Sequence, residues 1–187
     1  MGVAIADAFA ETGAEVTLVS GPVSIQPENR SVQVVRVTSA AEMFNACATR
    51  IADQDIAVFA AAVADFTPEQ VADKKVKRGA DDLVIRLKPT TDIAATLGAE
   101  KRADQLFIGF ALETHDALEH AKGKLERKNM DLIVLNSLED AGAGFGTETN
   151  RITMIDRKGR VETFDLKKKR EVARDIVEKT INLLNDA

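Results

Sequence analysis

A run of nine apolar residues, Ile56-Ala-Val-Phe-Ala-Ala-Ala-Val-Ala64, stopped by a single carboxylate at Asp65, constrains this chain more than any other stretch. An uninterrupted apolar run of that length, with alternating helix and strand patterns on either side, predicts a central parallel strand buried on both faces. The small side chains of Ala60, Ala61, Ala62 and Ala64 leave room for a ligand to approach the backbone where the strand ends. Ligands of open α/β sheets bind at the carboxyl ends of strands, so Asp65 is placed to meet a ribose hydroxyl or a metal–phosphate complex. A basic cluster, Lys74, Lys75, Lys77 and Arg78, follows between Pro68 and Gly79. The plainer alternative is an aspartate that ends a strand, followed by a solvated charge run.

The flanking pattern fits a doubly wound fold. Met1 to Gly13 reads as an amphipathic helix closed by a glycine, and residues 14 to 21 as a strand. A doubly wound fold usually opens with a strand and a glycine-rich turn before its first helix. Here the chain opens inside that helix, as though the first strand were missing, and a truncated chain is expected. Gln33 to Val37 predicts a short strand, and Thr38-Ser39 caps a helix over 40–53. Asp82 to Lys88 is strand-like, and Pro89-Thr90-Thr91-Asp92 introduces a helix from Ile93 towards Lys101. Leu106 to Leu112 is a second buried strand, followed by a helix from Thr114 to Lys128 and a strand from Leu132 to Asn136. A glycine-rich loop spans residues 137 to 150, and a hairpin turns at Lys158-Gly159. The last helix buries Val172, Ile176, Ile181 and Leu184. The expectation is a Rossmann-like α/β domain over residues 1–187: a mostly parallel sheet with a C-terminal hairpin and helix.

Composition removes several function classes. At 187 residues the chain suits one domain with a sizeable core. A net charge of −5 argues against a general nucleic-acid binder, and without Trp or Tyr any stacking platform would rest on Phe. Cys47 is the sole cysteine, which excludes an internal disulfide and a cysteine-rich zinc site. No stretch reaches the roughly 18 to 20 apolar residues that span a bilayer, and the first residues have no signal-peptide pattern. A cytoplasmic protein with no membrane or nucleic-acid partner is expected.

The reactive repertoire is lysine, aspartate and backbone amides, which suits stabilising negative charge on phosphates. No GxxxxGK[ST] is present, so the chain is not a P-loop NTPase. His115 and His120 are five apart and do not share the face of a zinc helix, and no metal-ligand set is predicted. On the helix from Thr114 to Lys128, Leu118, Ala121 and Leu125 make the apolar stripe, with Lys124 and Lys128 at i, i+4 along one edge. Two neighbouring ammonium groups repel, and an anionic ligand would relieve them; complementing the helix dipole is the alternative. Thr90 to Ile93 is either a simple cap or a phosphate-facing helix start. Phe110 is core by default, within reach of a base at the carboxyl edge. Asn136 and Asn150 are turn residues first and ligand contacts second.

Several stretches together resemble the phosphopantothenoylcysteine synthetase family, the ligase of coenzyme A biosynthesis. They are Met1-Gly-x-Ala-Ile-Ala, Gly13-Ala-Glu-Val-Thr-Leu-Val-Ser-Gly-Pro-Val-Ser24, Ala61-Ala-Val-Ala-Asp-Phe, Lys75-Val-Lys-Arg78 and Thr91-Asp-Ile. Gly109-Phe-Ala-Leu-Glu-Thr114, Lys128-Asn-x-Asp-Leu-Ile-Val and Phe145-Gly-Thr-Glu-Thr-Asn150 complete the set, in family order over nearly the whole chain. The resemblance implies joining of 4′-phosphopantothenate to L-cysteine at the expense of CTP with Mg²⁺, through an acyl-cytidylate. It places the nucleotide against Phe59, Ala60, Ala61, Asp65, Lys75, Thr91, Asp92, Ile93, Ala94, Phe110, Lys124 and Lys128, with Lys75 as the catalytic cation. It also implies a homodimer with a loop shared near the site. In many bacteria the family is fused to a flavin decarboxylase, and FMN would belong to that absent half alone. The family's Asn-x-Ser-Ser-Gly-Lys stretch, which precedes the methionine matching Met1, is not in this chain, so impaired activity is expected. Arg78 stands where the family's lysine motif ends in Lys. Three other readings stay open: ATP in place of CTP, an NAD(P) oxidoreductase on a similar fold, and a non-catalytic homologue.

Overall fold

The computed structural model describes residues 1–72, 74–77, 83–113, 117–137 and 147–186. Arg78, Asp82, Thr114, His115 and the glycines of the 142–146 loop lie outside these.

The core is built on two strands, β6 (Leu106–Glu113) and β7 (Leu132–Ser137), which run parallel at the centre of a five-stranded sheet. Its order is β10-β9-β7-β6-β3. The edge strand β3 (Ile56–Phe59) is parallel to β6, whereas β9 (Ile152–Asp156) and β10 (Val161–Thr163) form the predicted hairpin and run antiparallel. Gly159 in the hairpin turn has φ +75°, a conformation that glycine adopts without strain.

Side chains alternate across the sheet and divide the core in two. Ile108, Leu132 and Val134 face α1 (Gly2–Glu11) and α5 (Lys169–Asn185), meeting Ile5, Phe9, Val172 and Ile176. Their neighbours Phe107, Ile133 and Leu135 point the other way, onto α3 (Ile93–Ala99) and α4 (Ala117–Arg127). Burial of one such aliphatic or aromatic side chain contributes about 1.5–3 kcal/mol.

The expected central strand is corrected. Only four of the nine apolar residues join a ladder, and β3 lies at the edge of its sheet, half-buried throughout. Within its sheet β3 has a neighbour on one side only, whereas β9, β7 and β6 are flanked on both. β1 (Thr17–Ser20) and β2 (Gln33–Arg36) form a separate parallel pair. Two helices span both pieces. α1 turns Ile5 and Phe9 to the large sheet and Ala6 and Ala10 towards Val16, Leu18 and Val32. α2 (Ala40–Ala48) packs Met43 and Phe44 near Ala57 and Phe59.

Three smaller expectations also change. The predicted 40–53 helix stops at Ala48 and resumes as a 3₁₀ turn over Ile51–Asp53. There the Thr49 hydroxyl donates back to the carbonyls of Asn45 and Ala46, a local bond that competes with helix continuation. The predicted 82–88 strand is reduced to β5 (Leu87–Pro89), which pairs with β4 (Phe66–Pro68) in an antiparallel ribbon. In α5, Val172 and Ile176 are fully buried as expected, but Ile181 is half-buried and Leu184 exposed. The short strands β8 (Thr149–Asn150) and β11 (Lys167–Lys168) pair antiparallel beside the start of α5.

One polar cluster fastens the amino ends of β6 and β7. The Asp131 carboxylate accepts from the Phe107 N–H at 2.7 Å and pairs with Lys101 Nζ at 2.5 Å; only 5% of the Lys101 side chain is exposed. Arg157 Nε approaches the other carboxylate oxygen at 3.4 Å. Removing one partner of such a pair leaves a buried charge uncompensated, at a cost of about 3–5 kcal/mol. Asp131→Ala should therefore destabilise by about that amount in urea unfolding. A loss below about 1 kcal/mol would show that solvent already screens this pair.

Candidate functional site

The carboxyl edge of the sheet is where the run that began at Ile56 leaves its ladder. Past Phe59, residues Ala60 to Ala64 continue without strand pairing, with Ala61 and Ala62 exposed. Their path is set by Thr90. Its N–H donates to the Asp65 carbonyl at 2.9 Å and its hydroxyl to the Ala64 carbonyl at 2.6 Å. The two ends of the β4–β5 ribbon are thereby tied together, and Asp65 is held one residue from the segment that starts α3. The Asp65 carboxylate is exposed at this edge.

Asp92 caps α3: its Oδ1 accepts from the Ala95 N–H at 3.0 Å. The same carboxylate pairs with Lys128 Nζ at 2.9 Å, across 36 positions of sequence. Lys128, expected either to meet an anionic ligand or to complement the helix dipole, here finds an anion within the chain in Asp92. Gly98, buried in α3, makes this approach feasible. A Cβ there would lie 2.1 Å from the Lys128 carbonyl oxygen, so only glycine lets the end of α4 pack this closely. Asn129, at φ 52°, closes the contact by donating from Nδ2 to the Gly98 carbonyl at 2.8 Å. Gly98 was missed in the sequence, where an isolated glycine inside a helical pattern is the available signal.

Partial burial pushes the Asp92 carboxyl upward, but the Ala95 N–H and Lys128 outweigh it and hold the group below its ordinary value of 3.8. A depressed carboxyl stabilises the fold above its unfolded value, and that contribution fades as pH falls through the folded one. Asn at this position keeps the cap acceptor and removes the charge. The urea midpoint of Asp92→Asn should therefore fall below that of the parent at pH 7, and the two should converge as pH drops below about 3.8. A difference independent of pH would assign the effect to the cap alone. With half of the Asp92 side chain exposed, the gap is small.

The structure thus brings Asp65, Thr91, Asp92 and Lys128 to one edge. Ile93 is buried beneath them and Ala94 partly buried, both in the cluster that also contains Phe59. Phe59 itself meets Phe107 edge-on, with ring centroids 5.4 Å apart. Lys124 lies one turn before Lys128 on α4 and is half-buried. Two predicted residues are not brought to this group. Phe110 packs on the opposite face of the sheet, with the α1 and α5 cluster. Lys75 is exposed between β4 and β5, and among the described residues it has no hydrogen-bonding or ionic partner. Among the described residues no three His, Cys, Asp or Glu side chains converge as a metal cage. Mg²⁺ does not require one, since it binds through one or two carboxylates plus substrate phosphates; the exposed Asp65 fits that chemistry. The same described residues hold no helix long and apolar enough to cross a membrane.

Comparison with known proteins identifies the family. The DNA/pantothenate metabolism flavoprotein C-terminal domain matches residues 1–184. The chain belongs to this family. A cysteine/cysteine sulfinic acid decarboxylase from an unknown prokaryotic organism is 56% identical over 185 residues, covering 99% of this chain and 52% of that protein. The coenzyme A biosynthesis bifunctional protein CoaBC of Bacillus subtilis is 40% identical over 178 residues, covering 95% of this chain and 44% of its own. The chain therefore spans about half the length of these curated relatives. The crystal structure of a CoaBC C-terminal domain superposes with a TM-score of 0.83 at 38% identity, covering 100% of this chain and 83% of that one. A member of this family thus has the mixed α/β fold expected from the sequence.

Proposed function

We propose that this chain is the phosphopantothenate–cysteine ligase unit of coenzyme A biosynthesis. The observation that carries the proposal is the convergence of Asp65, Thr91, Asp92 and Lys128 at one sheet edge, in a chain similar to the CoaBC C-terminal domain. CTP is the co-substrate in this reading. Its triphosphate draws Lys128 away from Asp92, joins Lys124, and meets the backbone at Thr91 to Ala94. The small residues Ala60 and Ala61 admit the nucleotide close to the chain, and Asp65 serves the ribose or the metal-bound phosphates. Bound Mg²⁺ neutralises phosphate charge and orients the triphosphate.

Two steps follow. The carboxylate of 4′-phosphopantothenate attacks the α-phosphorus of CTP; the new acyl–oxygen–phosphorus bond forms as the bond to the β-phosphate breaks, and pyrophosphate leaves. The cysteine amine then attacks the acyl carbon, the amide forms, a proton is lost and CMP departs. Lys75 approaches the developing charge from the ribbon. β4 and the described residues between it and β5 expose Phe66, Val71, Val76, Val84 and Ile85, an apolar surface larger than a solvated arm needs. A second copy covers it in this reading, making a homodimer whose arm contributes to the site.

Nucleotide choice is tested by calorimetric titration of the chain with CTP, ATP and NADH in Mg²⁺. CTP binding that Lys128→Gln weakens roughly tenfold or more fits the proposal. Tight NADH binding with none of CTP would point to an oxidoreductase instead.

A further inference from the structure

Thr90 stands two residues before the cap of α3, and none of the binding roles above uses it. In the sequence it reads either as part of that cap or as a donor to phosphate. The structure gives it neither role. The cap is Asp92, whose Oδ1 accepts from the Ala95 N–H. A threonine has two polar hydrogens to donate, one on the main chain and one on the hydroxyl. The N–H goes to the Asp65 carbonyl at 2.9 Å and the hydroxyl to the Ala64 carbonyl at 2.6 Å. A carbonyl can only accept, so the hydroxyl is the donor and keeps no hydrogen for a phosphate. The lone pairs left on its oxygen would repel one.

Both bonds run to the same segment, which has few others. Strand pairing ends at Phe59 and resumes only at Phe66, opposite Pro89. The Thr90 N–H carries the β4–β5 pairing one step on, to Asp65. Its hydroxyl reaches one residue further, to a carbonyl that no main-chain N–H among the described residues meets. The branched side chain of threonine is stiff at χ1, which keeps the hydroxyl aimed before any ligand arrives. On its other side Thr90 leads through Thr91 into Asp92, which pairs with Lys128 at 2.9 Å. One side chain therefore ties together two segments 26 positions apart, each carrying a charged group of the candidate site.

We propose that Thr90 is a positioning residue: its hydroxyl sets the exposed Asp65 carboxylate at a fixed place relative to the Asp92–Lys128 pair, so that one nucleotide meets both. Thr90 itself touches no substrate. The inference rests on the ligase reading for the identity of that nucleotide. Without the hydroxyl, residues 61 to 65 take other paths in the free protein. Nucleotide binding then has to order them, and the affinity falls.

The test is calorimetric titration with CTP in Mg²⁺ of the parent chain, Thr90→Val, Thr90→Ser, Asp65→Asn and the Thr90→Val/Asp65→Asn double variant. Valine keeps the branched shape and removes the donor, so the dissociation constant should rise roughly three- to tenfold. Serine keeps the donor and should bind CTP within about twofold of the parent. The urea midpoint of Thr90→Val should hardly move, since water can replace the hydroxyl at the exposed Ala64. Because Thr90 acts through Asp65, the double variant should bind no more weakly than Asp65→Asn alone. A residue that only supports the fold would instead give two effects that multiply. Parent affinity in Thr90→Val, equal losses with valine and serine, or multiplying effects in the double variant would each overturn the inference while leaving the ligase reading intact. A folded parent chain that binds no CTP would remove that reading, and the inference with it. Should Thr90→Val fail to fold, Thr90→Ala takes its place with the same expected and contrary results.

Discussion

Gly98→Ala should lower the unfolding free energy by about 3 kcal/mol or more, the upper end of what overpacking costs. The added methyl would meet the Lys128 carbonyl oxygen at 2.1 Å and its carbon at 2.9 Å. These are backbone atoms and cannot rotate aside as a side chain would. Either α3 shifts, which disturbs Ile93 and Leu97 in the core, or residues 128 and 129 retreat and the bond from Asn129 to Gly98 is lost. Both movements displace Lys128 from the start of α3, so the substitution should also weaken binding of an anion held between the two. Urea unfolding with an unchanged slope would report the stability term. A midpoint within about 0.5 kcal/mol of the parent, typical of a surface change, would mean that α3 is not held against α4 as described.

Lys75→Gln should reduce pyrophosphate release roughly 10²- to 10³-fold, the usual effect of removing one group that stabilises transition-state charge. Stability should stay within about 0.5 kcal/mol, because the side chain is exposed. The two readouts separate the proposed role from a structural one. Lys75 lies in the segment between β4 and β5, and Thr90 ties the base of that segment beside Asp65, so a cation there can approach a nucleotide without taking part in the fold. Unchanged turnover in the variant would remove Lys75 from the chemistry and leave Lys124 and Lys128 as the phosphate-binding cations.

The features legible in the sequence are those that depend on local pattern. The apolar strands β6 and β7, the turn at Lys158-Gly159 and the buried face of α5 at Val172 and Ile176 follow from periodicity and turn chemistry. Features that depend on distant neighbours were not. The composition of β3 is that of a central strand, and it is an edge strand only because of what pairs with it. The break after Ala48 arises from a competing side-chain bond that helix propensity does not count. Within the candidate site, Asp92 and Lys128 were each expected to touch nucleotide, but their mutual ion pair joins two helices and has no local signature. The same holds for Gly98, whose need for a bare backbone appears only once α4 is packed on it. Asn136 and Asn150 read as turn residues because the bond between them spans 14 positions.

Pyrophosphate release from CTP and 4′-phosphopantothenate, with and without L-cysteine, tests the central claim most directly. It should be measured on this chain and on one extended at its N-terminus by the family's Asn-x-Ser-Ser-Gly-Lys stretch. The ligase account predicts pyrophosphate that depends on 4′-phosphopantothenate and appears before cysteine is added, with CMP following once it is. Activity confined to the extended chain would place the site here and its completion in the added segment. Folded protein that releases no pyrophosphate in either form would contradict the account.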